Sequence, residues 1–315
     1  MRKQELGMRN KARLENQNEV TRKVIPNSSL LIPHFLFLCY LLFVICYLFS
    51  ACSSRPKITG DVFDIRNDAE VQLEQGNAQA DRGNFSTALV FINQANRLAI
   101  ITDNPSLLIR SGLTLGNVLF ALGNTEDAFE AWNKALEESE FTGNGELAAV
   151  SRVHIARGKL LSHGAAPQSV RDEAGRELLS IKSEPYIAFA WTVIGLAEKE
   201  LGSYASAEEA VLRALAIHEK APSLELAAYD WFMIASFRSL SGDSDGALKA
   251  LGNALEYDRR TENSWGLAND WQAFGDVHKK AGNSAAARAA YVRAAGIYRA
   301  MGNYEDAEKA IQKSK

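Results

Sequence analysis

The feature that most constrains the fold of this chain is a step of about forty residues that recurs from residue 83 to residue 282. Six glycines mark it, at successive intervals of 40, 41, 38, 40 and 40 residues: Gly83, Gly123, Gly164, Gly202, Gly242 and Gly282. Five of them are followed by alanines five and twelve residues later, namely Ala88 and Ala95, Ala128 and Ala135, Ala207 and Ala214, Ala247 and Ala254, Ala287 and Ala294. Units this small cannot bury an apolar face alone, so the period predicts stacked units that share one core.

The segments on either side of these glycines have helical spacing of apolar residues. Most of the glycines precede Asn, Asp or Ser, which predicts that a left-handed glycine ends one helix and a side-chain oxygen caps the next. Strand-like alternation of useful length does not occur. The sequence therefore predicts an all-α chain of antiparallel helix pairs. The third unit departs from the pattern, because Gly164 leads into Ala-Ala-Pro167 without the expected alanine, and we expect its helix pair to be distorted.

The repeated residues resemble the tetratricopeptide repeat, whose pattern is a large residue, then Leu-Gly, Tyr, Gly, Tyr, Ala and Ala at fixed offsets. The fourth unit matches best, with Trp191, Ile194, Gly195, Gly202, Tyr204, Ala207 and Ala214. The resemblance implies a right-handed superhelical solenoid of about six antiparallel helix pairs, followed by a C-terminal capping helix that begins near Tyr304. The period implies helices about one turn longer than in the usual 34-residue repeat. The fold itself hosts many unrelated binding tasks.

The N-terminal part predicts an envelope protein. Residues 30–49 are apolar except for His34, and seven basic and three acidic residues precede them, the charge expected of a segment left in the cytoplasm. Leu48-Phe49-Ser50-Ala51-Cys52 resembles the lipobox of bacterial lipoprotein signal peptides, although Phe49 stands where the stricter motif has Leu, Val or Ile. The resemblance implies that Cys52 receives lipid, often including palmitate, and becomes the mature N-terminus.

We accordingly predict three regions: a basic arm with signal peptide (1–51), a lipidated linker (52–60) and a helical-repeat domain (61–315). Ser53 after the cysteine resembles lipoproteins sent to the outer membrane, which implies a membrane-anchored protein facing the periplasm. The alternative is an uncleaved signal anchor in which Cys52 is unmodified. The arm is long for a signal peptide, so translation starting at Met8 or Val20 is a further hypothesis.

Composition and motifs argue against several function classes. Of 35 basic and 38 acidic residues, those after residue 49 leave a net charge of −7, and basic runs with interleaved aromatics are absent, so nucleic-acid binding is not expected. The three cysteines all lie at or before residue 52. The histidines form no ligand-spaced pair, and neither a nucleophile elbow nor a phosphate loop occurs. We predict no enzyme activity, no cofactor and no metal.

In the tetratricopeptide family the first helix of each pair lines a concave face, and that resemblance assigns groove positions to this chain. They are Asn77, Arg110, Asn117, Phe120, Phe189, Thr192, Tyr229, Phe232, Gln272 and Asp276, with His154 less securely placed. Phe189, Tyr229 and Phe232 form either a hot spot for an apolar anchor or ordinary packing between pairs. The carboxylate clamp of chaperone-binding relatives does not carry over, because Leu73 and Leu113 stand where its Lys would be.

The sequence thus predicts a membrane-anchored adaptor that holds envelope proteins or peptide segments in its groove. An alternative is an accessory component of a transport system that handles a small apolar ligand.

Overall fold

The computed structural model describes residues 64–220 and 224–315. Within these ranges it has thirteen α-helices: α1 (Asp64–Asp81), α2 (Phe85–Ile101), α3 (Pro105–Ala121), α4 (Thr125–Phe141), α5 (Gly145–Leu161), α6 (Pro167–Glu177), α7 (Glu184–Glu200), α8 (Tyr204–His218), α9 (Glu225–Ser241), α10 (Ser244–Arg260), α11 (Ser264–Lys280), α12 (Ser284–Ala300) and α13 (Tyr304–Lys313). A short 3-10 turn (Leu178–Ser180) follows α6. The predictions for the arm, the apolar segment, Cys52 and the linker fall outside the described residues.

The helices form six consecutive pairs, α1–α2 through α11–α12, with α13 packed on α12 as a cap. Neighbouring pairs also pack on each other, so each second helix contacts the first helix of the next pair. Most of these helices have 17 residues, and turns of about three residues between them account for the forty-residue period. The predicted all-α solenoid of helix pairs is confirmed.

The turns within pairs agree with the predicted role of glycine in all but the third pair. Gly83, Gly123, Gly202, Gly242 and Gly282 have φ between 75° and 95°, the left-handed region that glycine enters without steric cost. In the third pair that conformation falls instead on His163 (φ 56°), one residue before Gly164. The turn is longer there, and α6 begins at Pro167 and has only 11 residues. The third pair is therefore distorted, as predicted.

The capping prediction was wrong at most of these turns. Asp243 accepts a hydrogen bond from the backbone N–H of Gly246 (2.8 Å), but Asn84, Asn124, Ser203 and Asn283 make no such bond. Side-chain caps instead occur mainly at the turns between pairs, at Asn104, Asn144, Asn263 and Asn303.

The core explains why small residues recur. All ten repeated alanines are at most 3 % exposed. Gly116 and Gly275 lie directly under the rings of Trp132 and Tyr291, each borne by the second helix of the same pair. A glycine on one helix thus receives a large ring from its partner, which lets the two backbones approach closely.

The first and last parts of the solenoid meet. The turn between α1 and α2 packs against α11, and a Cβ atom added at Gly83 would lie 2.6 Å from Cγ of Trp265. The concave side of the solenoid is consequently bordered by its own N-terminal turn.

Candidate functional site

The first helices of the six pairs surround two adjoining cavities, which we call the groove. The two cavities share Ala80, Asp81, Phe85, Arg157, Leu226 and Tyr229 as lining residues. Every first helix contributes at least one side chain to the groove: Asp81 from α1, Asn117 from α3, Arg157 from α5, Phe189 from α7, Tyr229 from α9 and Asp270 from α11. The groove is therefore a product of the whole solenoid and of no single pair.

The first cavity, here the acidic cavity, has a volume of about 340 Å³. Four carboxyl groups line it, those of Asp81, Glu225, Asp258 and Asp270. Four aromatic side chains line it as well: Phe85, Tyr229, Phe232 and Trp265. Arg157 supplies a guanidinium group to the same wall. The volume lies near the lower end of the range for small-ligand sites, roughly 300–1,000 Å³.

The second cavity, here the amide cavity, has a volume of about 360 Å³. It is lined by neutral polar side chains, among them Asn77, Asn117 and Thr192, with Phe189 beside them. Buried His218 and Asp230 complete its wall. Side-chain amides both donate and accept hydrogen bonds, which suits the N–H and C=O groups of a polypeptide backbone.

An aromatic stack connects the core to the amide cavity. The ring of His154 lies 4.1 Å from that of Phe189 and 6.3 Å from that of Trp132, measured between centroids. Nδ1 of His154 lies 3.0 Å from Oδ1 of Asn117, and because an amide oxygen only accepts, the ring N–H donates. Burial, with the charge of Arg157, lowers the pKa of His154 to about 3. His154 is therefore a neutral side chain that positions Asn117 and Phe189.

A histidine–carboxyl pair and a carboxyl–carboxyl pair occupy equivalent positions in successive repeats. His218 at the end of α8 contacts Asp230 on α9, with 2.6 Å between Nδ1 and Oδ2. Forty residues later, Asp258 on α10 faces Asp270 on α11. Burial and the neighbouring carboxyl raise the pKa of Asp270 above its ordinary value, because two adjacent buried carboxylates cannot both be charged at low cost. One proton is thus held between Asp258 and Asp270.

Asp81 is accessible to water inside the groove, yet helices surround it. This partial removal from bulk solvent and the charge of Glu225 raise the pKa of Asp81 to about 6. The same enclosure raises the pKa of Tyr229, although its side chain is 44 % exposed to the groove. Both shifts have the sign expected when a group is partly removed from bulk solvent.

The structure brings six of the predicted groove residues together. Asn77, Asn117, Phe189 and Thr192 line the amide cavity, Phe232 lines the acidic cavity, and Tyr229 lines both. Phe232 also packs against the core around α9 and α10, which is the packing role considered for it, and its role as a hot spot for a partner stays a prediction.

The other four lie outside these two cavities. Arg110 forms an ion pair with Glu70 (2.9 Å), and Phe120 packs against Trp132. Asp276 accepts hydrogen bonds from Tyr291 and Lys313 and borders a third, smaller cavity with Phe232. Gln272 is half-buried on α11. A role for these four in binding stays a prediction.

Sequence reasoning missed the acidic side of the groove. Asp81, Arg157, Asp258, Trp265 and Asp270 line it but were not predicted. The period itself contained a usable signal, because His218 and Asp258 are 40 residues apart, as are Asp230 and Asp270. Charged residues that recur at one repeat position, next to apolar positions of the same helix, indicate a pair at the interface between repeats.

Within residues 64–220 and 224–315, no helix is both long and apolar enough to cross a membrane. The same ranges contain no group of three or more His, Cys, Asp or Glu side chains arranged to hold a metal ion.

Comparisons with known proteins agree with the repeat architecture. A family model described as tetratricopeptide repeat matches residues 289–315, which cover the later part of α12 and all of α13. A comparison with curated proteins gave no significant match.

Among solved structures, a Rap protein complexed with Competence and Sporulation Factor is similar with a TM-score of 0.56 and 15 % identity, covering 78 % of this chain and 74 % of that one. BtubC (BKLC) from P. vanneervenii is similar with a TM-score of 0.52 and 17 % identity, covering 72 % and 93 % of the two chains. At these identities the likeness shows the fold alone.

Proposed function

We propose that this chain, a helical-repeat protein of the tetratricopeptide type, is an adaptor that binds an extended peptide segment of a partner protein along its groove. The observation that carries the proposal is the convergence of all six first helices on two adjoining cavities. A solenoid whose units each contribute to one continuous concavity suits an elongated ligand that passes successive units.

The lining chemistry supports a peptide. Amide side chains in one cavity pair with backbone groups, whereas the aromatic and acidic side chains of the other select side chains. The Rap protein of similar fold was solved in complex with Competence and Sporulation Factor, which supports the idea that such a solenoid accommodates a bound factor.

Photo-crosslinking through Tyr229 tests this proposal. Tyr229 lines both cavities, so a benzophenone amino acid placed there in the full-length protein in its native cells should give a discrete adduct. Tyr304 on the capping helix is the matched control, since it is also a tyrosine, is 69 % exposed and lines neither cavity. A peptide or protein identified by mass at Tyr229 and absent at Tyr304 is the expected result. Equal labelling at both positions, or none at Tyr229, would refute the adaptor.

A second candidate function is the handling of a small ligand by an accessory component of a transport system. The enclosure of the groove by the Gly83 turn against Trp265 favours it, because a bordered cavity of this volume also suits a small molecule. Native mass spectrometry of the purified protein separates the two functions, since only this one predicts a retained small molecule.

We further propose that the adaptor is tethered to a bacterial membrane through Cys52, in the outer membrane with its repeats facing the periplasm. The support is the lipobox-like segment that ends in Cys52, with Ser53 after it. Metabolic labelling with radioactive palmitate should mark the protein, and Cys52→Ser should abolish both the label and membrane association. A Cys52→Ser variant that stays in the membrane fraction would favour an uncleaved anchor instead.

A further inference from the structure

One buried aspartate has a histidine as its partner, and its equivalent in the next repeat has a second carboxyl group instead. Asp230 has His218 within 2.6 Å, whereas the equivalent Asp270 has the carboxyl of Asp258 in place of that histidine. The substitution places two carboxyl groups side by side at the α10–α11 junction.

The carboxyl group of Asp270 is incompletely satisfied. Asp270 is 1 % exposed, it lines the acidic cavity, and its Oδ2 has no hydrogen-bond partner. Asp258, by contrast, accepts a hydrogen bond from Nδ2 of Asn263 (2.9 Å). Leaving a buried polar atom unpaired is costly, and an acceptor that faces a cavity is satisfied when a donor enters that cavity.

The rest of the cavity wall favours a donor that carries positive charge. Asp81 and Glu225 add two carboxyl groups to those of Asp258 and Asp270, against the single lining guanidinium of Arg157. Arg259 acts on Asp270 from the exposed end of α10. Acidic groups therefore outnumber basic ones around the cavity.

The aromatic side chains suit the same ligand. Phe85, Tyr229, Phe232 and Trp265 line the acidic cavity together with the carboxyl groups. Aromatic faces attract ammonium and guanidinium groups and also pack against an aliphatic stem. A metal ion fits less well, because the described carboxyl groups do not gather into a ligand set.

We propose that the acidic cavity binds an organic cation, a primary amine or guanidinium, carried by a lysine or arginine side chain of the peptide in the groove. This inference rests on the proposed adaptor function and specifies the side chain that its peptide presents. Asp270 and Asp258 receive the cation, the aromatic side chains hold its stem, and the amide cavity holds the neighbouring backbone. The raised pKa of Asp270 agrees with this assignment, since the proton held there when the cavity is empty is displaced by the incoming charge.

The test uses the full-length protein in detergent and defined peptides. Acetyl-Ala-Ala-X-Ala-Ala-amide is titrated by calorimetry with X as arginine, lysine, citrulline or norleucine, alongside free arginine amide and spermidine. Citrulline keeps the shape of arginine without its charge, and norleucine keeps the stem of lysine. We expect the arginine or lysine peptide to bind at least tenfold tighter than its neutral counterpart.

Three variants identify the site. Asp270→Asn keeps a donor to Asp258 but cannot release a proton and become charged when a cation enters, and Asp258→His restores the histidine–aspartate pair of the preceding repeat. Both should reduce the preference for charged peptides to less than threefold. Glu256→Gln is the matched control, because Glu256 is an exposed acid on α10 that does not line the cavity, and it should leave the preference unchanged.

Each other outcome overturns the proposal. Equal binding of charged and neutral peptides, or a preference that survives Asp270→Asn, shows that the cavity does not select a cation. Tighter binding of spermidine or arginine amide than of any peptide shows that the cation bound in the cavity belongs to a free amine and not to a peptide side chain. Failure of every probe to bind refutes the cation site, and a Tyr229 adduct from the same protein would then show that the adaptor function stands without it.

Discussion

Replacing Trp132 by alanine tests whether the glycine–ring contact within a pair stabilises the solenoid. Trp132 is fully buried on α4, its indole fills the space over Gly116 and Gly158, and its Nε1 donates a hydrogen bond to the carbonyl oxygen of Leu113 (3.2 Å). The ring also stacks toward His154, which positions Phe189 in the groove.

The expected loss follows from the buried ring. Truncating a fully buried tryptophan to alanine costs about 3–5 kcal/mol in the free energy of unfolding, and a lost hydrogen bond of about 1 kcal/mol lies within that range. The two glycines have no side chains to refill the space, although Phe120 and Phe129 also contact the ring, so we expect a value within this range.

A double-mutant cycle isolates the contact. Gly116→Ala alone gains about 1 kcal/mol of helix propensity but forces its methyl group into the indole, which costs about 1–3 kcal/mol. In the Trp132→Ala background the methyl group enters free space and only the gain remains. The two changes should therefore be non-additive by about 1–3 kcal/mol, with the double variant more stable than the sum predicts.

Chemical denaturation followed by far-ultraviolet circular dichroism measures these differences. Gly252→Ala is the control, because a methyl group there meets nothing within 4 Å, and it should stabilise the protein by about 0.5–1 kcal/mol. The reasoning fails if Gly116→Ala has the same effect with and without Trp132, or if Trp132→Ala costs no more than about 1 kcal/mol, as a typical surface-proximal substitution does.

Three further substitutions have defined outcomes. Gly83→Ala should lower the free energy of unfolding more than Gly123→Ala. An alanine at either position must adopt a left-handed conformation at a cost of roughly 1–2 kcal/mol, but only at position 83 would its Cβ atom also meet an indole, at 2.6 Å. Equal melting temperatures of the two variants would contradict the contact between the Gly83 turn and Trp265. Asp270 has a raised pKa in the folded protein, so the folded state keeps a proton that the unfolded chain releases above about pH 4. The free energy of unfolding should therefore fall as the pH rises above about 4. Asp270→Asn should remove that part of the fall, which makes the variant more stable than its parent at pH 8 and similar at pH 4; parallel melting curves would argue against the shared proton. Asn104→Ala should cost about 1 kcal/mol through loss of its cap to the N–H of Leu107, whereas Asn124→Ala, which lacks such a bond, should be nearly neutral in the same denaturation assay.

Much of the groove was predictable because it follows the repeat. Phe189 and Tyr229 share one register and both line the groove, since a solenoid gives equivalent residues equivalent directions. Arg110 has the same register yet lies elsewhere, because it pairs with Glu70, the equivalent residue of the preceding unit. Phe120 has a different register, three residues before Gly123, and packs against Trp132. A left-handed glycine before the asparagine does not decide the cap, since Asn124 makes no cap hydrogen bond whereas Asn144 and Asn303, which also follow left-handed glycines, do.

The helix pairs, their number and the small residues at their interfaces follow from the amino-acid sequence alone. The repeated glycines and the ten repeated alanines recur about every forty residues. They decide locally which backbone conformations the turns adopt and where two helices can approach closely. Only the tertiary structure decided that the turn at Gly83 meets Trp265, and that Asp81 shares a cavity with Asp270. Those contacts join residues 182 and 189 positions apart. They depend on small rotations between pairs that accumulate along the solenoid and have no period in the sequence.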